Sequence, residues 1–161
     1  MFDLNLIPIF LAKLGLSLLL GLFVGYEREH QEKPAGIRDV ALVSLGATLF
    51  TIIALELINY NVKGVDTGII FRYDIGRILA YIIVSMGFLG SGVIVHTKDK
   101  LEGITTAGVL WTFVAIGILV GLGKFIMAII ATLFIYFVLK LKYIRVKIIS
   151  NKRGNYGKKK K

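Results

Sequence analysis

The chain has no cysteine, which excludes disulfides, thiolate metal sites and cysteine nucleophiles. Charge is also scarce: 19% of the 161 residues are Asp, Glu, Lys or Arg, and they are clustered rather than spread along the chain. A soluble protein of this size needs polar faces on every surface helix, and the sequence lacks them. Nucleotide loops are missing too. "GFLGSG" fails the GxGxxG spacing because Val95 stands where the last glycine should be, and "GLGK" (Gly121–Lys124) is followed by Phe125 rather than Ser or Thr. No nucleophile–base pair or metal triad is visible, and His30 and His96 are isolated, so an enzyme is not expected. The first apolar run lacks a basic start and leads into Gly-Tyr-Glu-Arg-Glu, unlike a cleaved secretory signal.

What is present is oil. Hydrophobic residues make up 56% of the chain, and the mean hydropathy is +0.77. An integral membrane protein follows. Spanning helices need about 20 apolar residues. Leu4–Tyr26, Val40–Ile58 and Ile78–Val95 qualify, separated after the second by "NYNVKGVDTG". From Ile104 to Leu139 the apolar run is too long for one span, and Gly121–Lys124 divides it into Ile104–Val120 and Phe125–Leu139. The expectation is an all-α, polytopic transmembrane helical bundle of about five spans over residues 1–144, with a basic tail over 145–161. A four-span arrangement would merge the last two helices.

Ten of the twenty basic residues lie in Lys140–Lys161. Beside a span, such a cluster sets orientation and touches anionic lipid rather than nucleic acid. With five spans, fifteen basic residues fall on one side and four on the other, and the loops alone favour the same side by five to four. The positive-inside rule then places the N-terminus outside, and the C-terminus and "GYEREHQEKPAGIRD" (Gly25–Asp39) in the cytoplasm, in a multi-pass protein of the cell membrane.

Helices in lipid associate through close packing and a few polar contacts. Gly21 and Gly25 form one small-xxx-small pair, Gly117 and Gly121 another, and Gly87, Gly90 and Gly92 cluster on the third span. Internal packing is the first reading of these glycines, with a homo-oligomer seam as the alternative.

Lys13 is expected near the middle of the first span, where charge is expensive and usually functional or paired. Lys13, Ser17, Gly21 and Arg28 recur at steps of four and seven and share one helix face. Glu27 is about 21 Å further along that helix, so Lys13 must meet another helix, snorkel outward or line a wet cavity. Glu27 and Glu29 stand at a helix C-terminus, against the macrodipole, and need a cation nearby. Arg28, Lys33, Arg38 or a metal ion such as Mg²⁺ would serve. Pro34 and Gly36 make a turn that returns Arg38 to the surface beside Glu27 or Glu29. Asp74 and Arg77 stand where the third helix begins, with Asp74 suited to cap it. Thr105 and Thr106 open the fourth helix and can bond carbonyls or a neighbouring helix, and Trp111 is a candidate packing anchor.

Taken in order, "GLFVGYERE", "KPAGIRDVALVSLGATLFT", "DIGR", "MGFLGSGVI" and "GITTAGVLW" resemble the membrane domain of the MgtC/SapB family from Lys13 to about Leu139. By motif, the resemblance falls on Gly25, Glu27, Arg28, Glu29, Lys33, Pro34, Gly36, Arg38, Asp74, Arg77, Gly87, Gly90, Gly92, Gly103, Thr105, Thr106 and Trp111. The chain departs from the family pattern at Asp39, Val40, Ile75, Tyr81 and Glu102, which bears on the identity of any ligand. The C-terminal stretch resembles the shorter members, without a soluble regulatory domain. The resemblance implies about five helices with the first loop inside, a link to magnesium homeostasis, and regulation of membrane partners including the proton-driven ATP synthase. It implies no cofactor beyond a possible Mg²⁺ contact. The function expected is therefore non-enzymatic modulation of a membrane partner in magnesium or proton homeostasis. The alternative is a small oligomeric cation channel or transporter.

Overall fold

A computed structural model describes residues 6–62, 74–97 and 100–158. Its elements are α1 (Ile7–His30), α2 (Ile37–Val62), α3 (Ile75–Gly92), a hairpin of β1 (Val95–Thr97) and β2 (Lys100–Glu102), α4 (Ile104–Gly121) and α5 (Phe125–Lys158). Four stretches, α1, Ile37–Leu57 of α2, α3 and α4, are long and apolar enough to cross a membrane, and α5 adds a shorter apolar stretch, Phe125–Leu141. The architecture is the expected all-α bundle of a membrane protein. "NYNVKGVDTG" and the last three lysines lie wholly or largely outside the described residues.

The ends of the elements differ from expectation for local reasons. α1 runs past Tyr26 through Glu27, Arg28 and Glu29, because no glycine or proline stops it before Gln31. α3 stops at Gly92, and the β-branched stretch beyond turns into β1, which pairs antiparallel with β2 through His96 and Leu101. Between them and α4, Gly103 has a φ of +90°, and a Cβ there would lie 1.9 Å from the Val93 carbonyl oxygen, so only glycine fits. The break at Gly121–Lys124 is real. Gly123 takes a φ of +76°, its N–H bonds the Val120 carbonyl, and the Lys124 N–H reaches back to Leu119, which is a Schellman end. A merged fourth span is ruled out.

The core is a trio of α1, α2 and α4. Gly21 meets the Ala41 backbone and Gly25 the Ile37 backbone, while Gly117 meets Ser44 and Ala47, and Gly121 meets Thr51. These approaches let Val24, Val40, Phe113, Ile116 and Val120 bury almost completely. At their centre the Thr48 hydroxyl lies 2.9 Å from Ser17 Oγ, 2.9 Å from the Ser44 carbonyl and 3.0 Å from the Gly117 carbonyl, and Ser17 and Ser44 hydroxyls bond each other. This node ties three helices inside the apolar core, where an unbonded hydroxyl would be costly.

α3 packs mainly on α4, with Gly90 near Ala107, and buries Met86 in the core. Its outer face, with Tyr81, Val84 and Phe88, is open. The packing expected of Gly87 and Gly92 does not occur: both are exposed, and nothing lies within 4 Å of a Cβ built on either. Trp111 does not anchor packing either, since the residue is 52% exposed.

Candidate functional site

The charges of "GYEREHQEKPAGIRD" gather at the bundle end where α1 turns into α2 and where α4 begins. Arg28 is the hinge of this cluster. It shares the inward face of α1 with Ser17 and Gly21, as the spacing requires, and is only 3% exposed. Its Nε donates to the Ala35 carbonyl at 2.9 Å, and its Nη2 donates to the Pro34 carbonyl at 2.5 Å and to Thr106 Oγ1 at 2.7 Å. One guanidinium thus fastens the α1–α2 turn to the first turn of α4, using a fork that lysine could not supply. The turn needs that support. Glu32 and Ala35 both take positive φ, 53° and 59°, which is uncommon for residues with a Cβ. The left-handed positions are therefore not at Gly36. Gly36 lies against the Glu29 carboxylate, which a Cβ there would meet at Oε2 at 2.7 Å and push aside.

Three of the four carboxylates of this stretch have partners. Glu29 Oε2 accepts from the Ile37 N–H at 3.0 Å and Asp39 Oδ2 from the Gly36 N–H at 3.1 Å, so both cap the N-terminus of α2, where its dipole favours them. Glu27 Oε1 accepts from Gln31 Nε2 at 2.5 Å and pairs with Lys140 Nζ of α5 at 2.7 Å. Lys140 also stands 5.3 Å from the Tyr136 ring, which packs on Phe23. The cation that offsets Glu27 thus comes from α5, not from Arg28, Lys33 or Arg38, and Lys140 turns back to the bundle rather than simply snorkelling. Arg38 does not return to Glu27 or Glu29. Lys33 and Arg38 are exposed and have no ion pair among the described residues.

The other expected residues are dispersed. Asp74 occupies the N-cap position of α3 in extended geometry, but its side chain makes no capping bond. Asp74, Arg77 and Thr105 are exposed, while Thr106 is buried under Arg28. Lys13 lies at the opposite end of the bundle and is resolved by another helix: its Nζ donates to the Gly121 carbonyl at 2.7 Å. An ammonium at the C-terminus of α4 also meets the favourable end of that helix dipole. Among the described residues no group of three His, Cys, Asp or Glu side chains could hold a metal ion.

Between the two polar ends lies an apolar layer of Val24, Val40, Val109, Leu110 and Phe113, all buried. Sequence reading missed Lys140 as the partner of Glu27 and the Ser17–Ser44–Thr48 node. Ser17 was on the marked face of α1, but nothing local announced the acceptors on α2 and α4.

The MgtC family profile matches residues 14–146. Protein MgtC of Salmonella typhimurium is 36% identical over 126 residues, covering 78% of this chain and 49% of the relative. Protein SapB of Bacillus subtilis is 31% identical over 129 residues, covering 80% and 54%. An uncharacterized protein of Haemophilus influenzae is 34% identical over 134 residues, covering 83% and 55%. The chain thus spans about half the length of these curated relatives. No solved structure matches it.

Proposed function

This chain belongs to the MgtC family, and on that premise we propose that it is a non-enzymatic membrane protein that modulates a membrane partner in magnesium or proton homeostasis. Its place is the cell membrane, crossed several times, with the Arg28 end toward the cytoplasm as the distribution of basic residues favours. A proton-driven ATP synthase is one partner of the expected kind. The observation that carries the reading is the apolar layer. Lys13 and the hydroxyl node are separated from Arg28 and Glu27 by Val24, Val40 and Phe113, each 0% exposed. An ion crossing the interior of one bundle would have to shed its water in that layer, at high cost. The charged end is better suited to presenting a braced turn than to passing ions.

The test is Mg²⁺ and proton flux in liposomes holding the purified full chain, with Glu27→Gln alongside. Flux no greater than in empty liposomes is expected, together with loss of growth under magnesium limitation in cells carrying Glu27→Gln, whose insertion stays normal. Saturable flux that disappears in Glu27→Gln would overturn the reading and make the chain a transporter. One observation favours that second reading: the open face of α3, with exposed Tyr81 and Ser85 and the free surface at Gly87, could line a path between copies.

A further inference from the structure

The hairpin between α3 and α4 should not hold together by itself. β1 and β2 pair over only three rungs, Val95 with Glu102, His96 with Leu101 and Thr97 with Lys100. An isolated two-stranded hairpin is marginal in water and needs a further element to lie against. No described residue covers it: Val95 is 55% exposed and Leu101 52%, and His96, Lys100 and Glu102 are exposed as well. The foot of the hairpin, by contrast, is firmly set. The Ile94 N–H bonds the Ser91 carbonyl at 3.2 Å, and Gly103 presses on Val93 so closely that no other residue fits.

The place of the hairpin in the chain identifies what it lies against. α3 and α4 have 18 residues each. At helical rise that is about 27 Å, against a hydrocarbon layer about 30 Å thick. Val93 and Ile94 on one side and Gly103 on the other are all that separate the strands from these helices, so the hairpin sits where acyl chains give way to headgroups. An exposed apolar surface runs through its foot, from Phe88 and Leu89 on α3 to Ile94 and then Ile104 on α4. Neighbours along a strand point to opposite faces. Val95, Lys100 and Glu102 therefore share one face, and His96 and Leu101 the other. Sinking the ribbon foot first would carry Glu102 toward hydrocarbon, whereas laying it on the Leu101 face immerses neither Glu102 nor Lys100. We propose that the hairpin lies flat on the membrane with its His96–Leu101 face against lipid, so that the bilayer surface is the missing layer of this small sheet. The contact goes beyond the partner-modulating role and does not depend on it. Because Gly103 joins the ribbon to α4, the contact also sets the depth of Thr106, which holds Arg28.

The chain has no cysteine, so single cysteines can be spin-labelled without background. The test places labels through Val95→Cys, His96→Cys, Leu101→Cys and Glu102→Cys in the full chain, in nanodiscs of phosphatidylglycerol and phosphatidylcholine. Collisions are read with oxygen, which concentrates in lipid, and with a water-soluble nickel chelate. Labels at positions 96 and 101 are expected to favour oxygen and to lie about 5–10 Å below the headgroup surface, the depth of interfacial helices. Labels at positions 95 and 102 should favour nickel. The reverse order would mean that the ribbon stands on its foot, and nickel access at all four that it stands clear in water; either overturns the proposal. Shielding of positions 96 and 101 from both reagents would put a protein on that face, and the lipid assignment fails. All four side chains are exposed, so each variant should keep the unfolding midpoint of the parent. A label-free variant is Leu101→Thr, which keeps the strand preference but loses the apolar contact. Faster amide exchange across Val95–Glu102 is expected, with α4 still protected. Unchanged exchange in the ribbon would show that lipid does not hold it and would also overturn the proposal.

Discussion

Gly21, Gly25, Gly117 and Gly121 stand where an added Cβ would come within 2.7 Å of a neighbouring helix, whereas Gly87 and Gly92 of α3 face open space. The same residue type thus seals the α1–α2–α4 trio and leaves α3 bare. In a bilayer, hydrocarbon is as good a neighbour as leucine, so small residues hold helices together only where backbones or short side chains actually approach. The trio also has polar fasteners, the Thr48 node and the Arg28 fork, while α3 leans on α4 with Gly90 near Ala107. The contrast separates a braced part of the molecule from a part left free to meet lipid or another chain.

The hardest test of that contrast is Gly117→Leu. Its Cβ alone would fall 2.4 Å from the Ser44 carbonyl oxygen, so α2 and α4 must separate. Loss of monodisperse protein after detergent extraction is expected, and a normal elution profile would dissolve the distinction. Next comes Arg28→Met, which keeps bulk but leaves the Pro34 and Ala35 carbonyls and Thr106 without their donor. Three such bonds to a charged group amount to about 3 kcal/mol or more. A markedly lower unfolding midpoint and faster amide exchange across residues 31–36 are expected. Gly87→Ala sits at the other extreme. The new methyl meets nothing, and alanine is favoured in a helix by about 0.5–1 kcal/mol. The midpoint should hold or rise slightly, and a fall would mean that α3 has a neighbour at that face.

Much of this was legible in sequence, and the limit has a physical form. Steps of four and seven marked the inward face of α1, and that face holds Ser17, Gly21 and Arg28 as expected. The glycine break before Phe125 was legible because its chemistry is local. Periodicity assigns faces, however, not partners. Nothing near Glu27 pointed to Lys140, and nothing near Lys13 pointed to Gly121, because those contacts depend on how helices distant in sequence dock. Arg38 and the turn misled for the opposite reason. Carboxylates and cations close in sequence suggest mutual pairing, but the unsatisfied N–H groups at the start of α2 compete for Glu29 and Asp39 and win.

The bond from Lys13 to Gly121 joins residues 108 positions apart. A ribosome adding about 5–20 residues per second reaches Gly121 some 5–20 s after Lys13. Throughout that interval the nascent first helix carries an ammonium whose acceptor has not been made. Until then its lysine can reach water or headgroups at the membrane face, and the bond to Gly121 can form only when the end of α4 arrives. The timetable of synthesis is thereby written into a single hydrogen bond.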